Sequence, residues 1–317
     1  MTDMQNEVFK TPVNKIRLFE HGAPGSQNLK LTRKYYTEDM PDGRVKHIVQ
    51  NITDPDIVPY IPDGIGNSTD RQRIPAVLII PGGAFRRLVY NFEGEDVAKW
   101  LNSMGIAAFV LECRLPSDEH DNAEDVPLID AMRAMRVIRG RAQEFGIDEA
   151  KIGVMGFSAG GFMAALLSTA YESDVYADYK YKDEYDKLSA RPDFAVCSYP
   201  VISIDDCIEA GKRYMSEEQV LERISDSEAK ILHKYNPDKL VRPDMPPVFI
   251  CETDDDRTTL SENSVGFYMA ARKAGVSAEL HIFRTGGHGY GCGDDFAQTG
   301  EWKVLFTKWI KSIGIIS

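Results

Sequence analysis

From Ala76 onward the chain alternates short apolar runs with longer stretches in which apolar residues recur every three or four positions. The runs are AVLIIP (Ala76 to Pro81), IAAFVLEC (Ile106 to Cys113), KIGVMGF (Lys151 to Phe157), FAVCSYP (Phe194 to Pro200), PVFICET (Pro247 to Thr253) and AELHIF (Ala278 to Phe283). Several lack the alternation of a half-exposed strand, as expected of strands covered on both faces. The stretches EDVAKWLNSMG, PLIDAMRAMRVIRGRAQEFG and LSENSVGFYMAARKAG each stop at glycine, as amphipathic helices do. The pattern predicts an α/β fold: a mostly parallel central sheet with helices on both faces.

Two regions break this rhythm. Residues 1–75 are rich in Pro, Gly, Asn and Asp, with strands predicted at LKLTRKYY and VKHIVQNI before the turn-rich IPDGIGNSTDRQR. They read as an antiparallel lead-in packed on the main unit, residues 76–317. Between Tyr199 and Pro246 lies a connection far longer than an ordinary αβ loop, carrying the helical pattern SEEQVLERISDSEAKILHKY. An insertion or small helical cap is expected there, over about residues 200–246.

Composition narrows the function. A formal charge of -12, with no Lys/Arg tract to reverse it locally, disfavours nucleic acid and anionic membranes as partners. The chain shows neither an apolar run long enough to span a bilayer nor an apolar leader at MTDMQNEVFKTPVNK, so a cytoplasmic location is expected. Five scattered cysteines without a C-x-x-C pair read as reduced, structural thiols.

Candidate chemistry begins at GFSAG, Gly156 to Gly160, where the strand KIGVMGF hands over to the helix GFMAALLSTA. A turn this tight forces its central residue into unusual dihedrals, and side chains two positions away would strike neighbouring backbone. Glycine removes those collisions and leaves the hydroxyl of Ser158 at a helix N-terminus, where developing negative charge is favoured. A serine hydroxyl needs a base and a third group to orient that base. His288, in the glycine-rich loop RTGGHGYGCG after AELHIF, is the candidate base. His281 falls within a strand and His233 within the insertion, so both read as structural or solvent-facing. The third group is sought where VFICET runs out into Asp254, Asp255 and Asp256, because a carboxylate at a strand's carboxyl end faces the ligand crevice. Counting from Thr253 favours Asp255, with Asp256 the alternative; a calcium loop is the competing reading, but EF-hand spacing is absent. In IIPGGAFRR, the amides of Gly82, Gly83 and Ala84 are placed to meet an oxyanion, with that of Ala159 completing the set.

Together PGGAF, GFSAGG, TDDD and GGHGYG resemble the α/β-hydrolase superfamily, and within it the branch of carbohydrate acetyl esterases that includes acetylxylan esterases. The resemblance runs over roughly Ile74 to Trp309, and the short EHGAPGS segment extends it to the lead-in. It implies the α/β-hydrolase fold and a serine esterase, with Ser158 as nucleophile, His288 as acid and base, Asp255 as orienting acid, and Gly83, Ala84 and Ala159 as oxyanion donors. The implied reaction is hydrolysis of short acyl esters of sugars or oligosaccharides through an acyl-enzyme, without metal or organic cofactor. Arg86, Arg87, Tyr90 and Tyr290, beside the motifs, are candidate contacts to sugar hydroxyls, with exposed loop side chains as the alternative reading. Two departures stand out: Ala84 replaces the family's third glycine, its methyl narrowing the acyl side, and Arg257, Thr258 and Thr259 replace the usual valine and proline after the acid. A prolyl-oligopeptidase-like peptidase and a non-catalytic hydrolase-fold binding protein are the rival readings.

Overall fold

Eleven strands, nine α-helices and a few single turns make up the described part of the chain. In chain order the strands are β1 (Ile16–Arg17), β2 (Lys34–Asp39), β3 (Val45–Gln50), β4 (Asp56–Tyr60), β5 (Ile74–Ile80), β6 (Leu88–Val89), β7 (Ala107–Glu112), β8 (Ile147–Phe157), β9 (Ala195–Ser198), β10 (Val248–Thr253) and β11 (Ala278–Phe283). The helices are α1 (Asp96–Ser103), α2 (Val126–Gly140), α3 (Ala142–Phe145), α4 (Ala159–Ala170), α5 (Ile204–Gly211), α6 (Glu217–Arg223), α7 (Asp226–Lys234), α8 (Ser261–Lys273) and α9 (Trp302–Ser312). This computed structural model describes residue 9 and residues 13–65, 73–224, 226–293 and 298–317. Part of the turn-rich segment expected before β5, residues 66–72, lies outside them, as does most of the N-terminal MTDMQNEVFKTPVNK.

The main sheet has eight strands in the order β1-β4-β7-β5-β8-β9-β10-β11. It is parallel from β7 to β11 and antiparallel at the β1–β4 and β4–β7 pairings. All six residues of β7 and of β10 are buried, which is why their sequences carry no alternation. On one face α1 and α9 meet through Trp100, whose ring lies 4.9 Å from that of Trp302 and 5.4 Å from that of Phe306. Helix α4 is buried at every position but Ala170 and packs behind β8 and β9, as its almost uniformly apolar sequence requires. Among the described residues no helix is long and apolar enough to cross a membrane, and no disulfide joins the five cysteines.

The lead-in is woven into both sheets. It supplies β1 and β4 to the main sheet, while β2 and β3 form a hairpin that pairs with β6 in a separate three-stranded sheet. Strand β4 was not expected from its sequence, DIVPY, because Pro59 has no backbone donor. It is tolerated because β1 covers β4 only at Asp56 and Ile57, so Pro59 sits where β4 is the sheet edge. Buried charge fastens the lead-in further: the fully buried pair Arg114–Asp130 also donates from Arg114 to the Pro24 carbonyl and to Ser26 Oγ, both in the EHGAPGS segment. In the 200–246 region the single helical pattern resolves into α6 and α7. Ser216 caps α6 in a reciprocal box with Gln219, and extended dihedrals at Ile224 (φ -87°, ψ 119°) end it.

Candidate active site

Strand β8 ends at Phe157 and α4 begins at Ala159, leaving Ser158 alone in the turn with φ 54° and ψ -119°. The flanking glycines are required: a Cβ on Gly156 would stand 1.9 Å from the Gly160 carbonyl oxygen, and one on Gly160 2.0 Å from that of Ile80. The turn is held by the Ser158 amide, which donates to the Ser198 carbonyl at 3.0 Å.

Ser158 Oγ lies 2.9 Å from His288 Nε2, and His288 Nδ1 lies 2.7 Å from Asp256 Oδ2. The carboxylate expected at Asp255 is therefore corrected to Asp256. After β10 the Asp256 amide donates back to the Thr253 carbonyl at 3.3 Å, and this turn leaves Asp254 and Asp255 exposed while Asp256 points inward. Asp255 instead accepts from the amides of Gly286 and Gly287 at 2.9 and 2.8 Å, tying down the loop that carries His288. Asp256 is itself held at both oxygens. Oδ1 accepts from the amides of Thr258 and Thr259 at 2.7 and 3.0 Å, and Oδ2 from Thr259 Oγ1 at 2.9 Å. Burial opposes its ionisation, but the hydrogen bond and charge of His288, with the two threonine amides, outweigh it and hold the carboxyl below the usual range. The residues that replace the family's valine and proline thus supply donors to the acid. Among the described residues no three His, Cys, Asp or Glu side chains converge as a metal cage requires.

The loop after β5 takes up left-handed backbone at Gly83 (φ 137°) and Ala84 (φ 54°). Its Gly83 carbonyl accepts from the amides of Arg86 and Arg87 at 3.2 and 3.3 Å. Gly83 and Ala84 line one cavity of about 250 Å³ with Ser158 and His288. Ala159, first residue of α4, presents an amide with no acceptor inside its own helix. Arg86 and Arg87 line the same cavity. Tyr90 and Tyr290 do not, which corrects their expected role as sugar contacts. Tyr90 is buried with its hydroxyl 3.1 Å from that of Tyr60, and Tyr290 is buried with its ring 4.5 Å from that of Tyr199. Adjacency in sequence to a motif did not bring either side chain into the cavity.

Two buried groups escaped the sequence reading. The Glu93 carboxylate accepts from the Gly82 amide at 2.8 Å and the Tyr199 hydroxyl at 2.9 Å. Tyr199 in turn accepts from the Gly291 amide at 3.1 Å, and its ring stands edge-on to the His288 ring at 5.0 Å. Glu93 so links the loop of Gly83 to the loop of His288. Burial raises its pKa, against the charge of His288 and the two hydrogen bonds. Behind Asp256, burial and then the Asp256 charge push the Glu252 carboxyl well above its ordinary value. No local pattern marks either glutamate. Glu93→Ala leaves two buried donors without an acceptor, and we expect a loss of about 1–3 kcal/mol for each in a chemical denaturation experiment.

The chain has relatives among known proteins. The BD-FAE family model matches residues 65–270. An acetylxylan esterase of Xylanibacter ruminicola is 31% identical over 240 residues, which are 75% of this chain and 45% of that protein. The chain spans less than half the length of the curated relatives it matches. An acetyl ester-xyloside bifunctional hydrolase from Caldicellulosiruptor lactoaceticus superposes with a TM-score of 0.69 at 37% identity, over 84% of this chain and 91% of that one. A carboxylesterase from Lactobacillus plantarum superposes with a TM-score of 0.66 over 90% of this chain and 99% of that one; at 20% identity it bears on the fold alone.

Proposed function

Given that the chain belongs to the BD-FAE family and has the α/β-hydrolase fold, we propose that it is a serine carboxylesterase that removes short acyl groups, acetyl foremost, from esterified sugars or oligosaccharides of the xylan type. The observation that carries this reading is the chain of contacts at one rim of the sheet, Ser158 Oγ to His288 Nε2 at 2.9 Å and His288 Nδ1 to Asp256 at 2.7 Å.

In this reading Ser158 Oγ attacks the ester carbonyl as its proton passes to His288 Nε2. The tetrahedral oxyanion is met by the amides of Gly83, Ala84 and Ala159, and the dipole of α4 adds to them. His288 returns the proton to the departing alcohol. A water, deprotonated by the same nitrogen, then attacks the acyl-serine, and as the bond to Ser158 Oγ breaks the proton passes from Nε2 to Oγ and the carboxylic acid leaves. Asp256 keeps the imidazole in the tautomer with Nδ1 protonated and stabilises the imidazolium. The described part of residues 1–75 belongs to this unit as a strap that brings the β2–β3 hairpin to the site, and the helices α5, α6 and α7 form an insertion between β9 and β10.

The test is a series of p-nitrophenyl acetate, butyrate and octanoate beside acetylated xylo-oligosaccharides. With the Ala84 methyl on the acyl side, kcat/KM is expected to fall at least about tenfold from acetate to octanoate, since misfitted methylenes are discriminated by roughly 1–3 kcal/mol each. Equal or rising activity toward octanoate would overturn the short-acyl assignment.

A further inference from the structure

We infer that the alcohol half of the substrate carries a carboxylate, so that acidic, uronate-bearing acetyl esters are preferred over neutral ones. This rests on the esterase reading of the same site. The chain as a whole is strongly acidic, with a formal charge of -12. The cavity at Ser158 is nevertheless lined by four cations, Arg44, Lys46, Arg86 and Arg87, against a single carboxylate, the buried Glu93. Two of the four are already engaged. Arg87 grips both oxygens of Glu38 at 2.7 and 2.9 Å, and Arg44 pairs with Asp42 at 2.8 Å.

Lys46 and Arg86 are different. Among the described residues neither side chain has a carboxylate within salt-bridge distance, although both face a cavity of about 250 Å³ beside the serine. Lys46 is half-buried on β3 and acts on Glu93 only through space, while both oxygens of Glu93 are turned to Gly82 and Tyr199. Lys46 stands across the β2–β3 ladder from Glu38, which Arg87 holds at both oxygens, and positive charge without a salt-bridge partner at the mouth of a concave site attracts an anion and orients it. A lysine and an arginine provide donors that match a carboxylate. An acetyl group occupies only a small part of the cavity, so the charged remainder faces the alcohol. The sequence spacing fits the role as well: Arg86 comes from the loop of the oxyanion donors, and Lys46 is delivered to it by the pairing of β3 with β6.

The experiment compares two acetyl esters of equal size, 4-acetoxybenzoate and its neutral amide, 4-acetoxybenzamide, each corrected for its rate with hydroxide. Acetylated xylo-oligosaccharides with and without a glucuronic acid branch form the second arm. We expect the anionic ester of each pair to have the higher kcat/KM by about tenfold, and raising salt from about 20 to about 500 mM to erase most of that preference. Lys46→Gln and Arg86→Gln are each expected to lower the anionic-to-neutral ratio severalfold. A ratio near one in both arms, indifferent to salt and to both substitutions while the neutral ester is turned over, would overturn the inference and leave the esterase reading standing. Turnover of neither ester would overturn the esterase reading, and the inference with it.

Discussion

Ser158→Ala is expected to abolish hydrolysis of p-nitrophenyl acetate, lowering kcat by about 10⁵–10⁶ to a residue set by the amides alone, while the protein stays folded. The size of the effect follows from the geometry. Ser158 Oγ is the one hydroxyl within hydrogen-bond reach of His288 Nε2 among the described residues, so no neighbour inherits its role. Persistence of the fold follows from the backbone: the turn at residue 158 is held by its amide on the Ser198 carbonyl and by the two flanking glycines, none of which alanine disturbs. At φ 54° alanine meets the same Cβ constraint that serine already tolerates. The thermal midpoint should therefore stay within a few degrees of wild type. Labelling by a fluorophosphonate, followed as a mass increase on the peptide containing residue 158, should disappear in the variant. Retention of near-full hydrolysis by Ser158→Ala would show that another group attacks the ester.

How far the site was legible in the sequence depended on how local its determinants are. The meeting of Ser158 and His288 is written in two glycine-rich turns, each at the carboxyl end of an apolar run, and a parallel sheet brings such ends to one rim. The choice between Asp255 and Asp256 was not legible, because it hangs on a single turn in which successive residues point in opposite directions. One 3.3 Å hydrogen bond, from the Asp256 amide to the Thr253 carbonyl, decides it. Proximity in sequence misled at Tyr90 and Tyr290, whose side chains are buried away from the cavity. Glu93, Tyr199 and Lys46 were out of reach for a further reason. The partners of Glu93 and Tyr199 lie 11 and 106 positions away, and Lys46 reaches the cavity through the pairing of β3 with β6, which rests on only two residues of β6. Strand β4 was missed because proline argues against a strand unless the neighbouring edge is known to be open.

The sharpest consequence of the turn after β10 is an asymmetry between adjacent aspartates. Asp256→Asn is expected to lower kcat by about 10³–10⁴, whereas Asp255→Asn should change it by less than about threefold. At position 256 the amide keeps the shape but removes the charge that stabilises the imidazolium, and it turns a donor toward Nδ1 or toward the amides of Thr258 and Thr259, favouring the unproductive tautomer. At position 255 the asparagine carbonyl still accepts from Gly286 and Gly287, so the histidine loop keeps its anchor. Stability should respond with a definite sign. The folded-state pKa of Asp256 lies below its unfolded value, so its ionised form stabilises the fold at pH above about 4 and that contribution fades as pH falls through the folded value. The stability gap between wild type and Asp256→Asn, measured by denaturation from neutral to acidic pH, should narrow accordingly. Equal kinetic losses at the two positions, or a larger loss at Asp255, would mean that the carboxylate facing His288 during turnover is not Asp256.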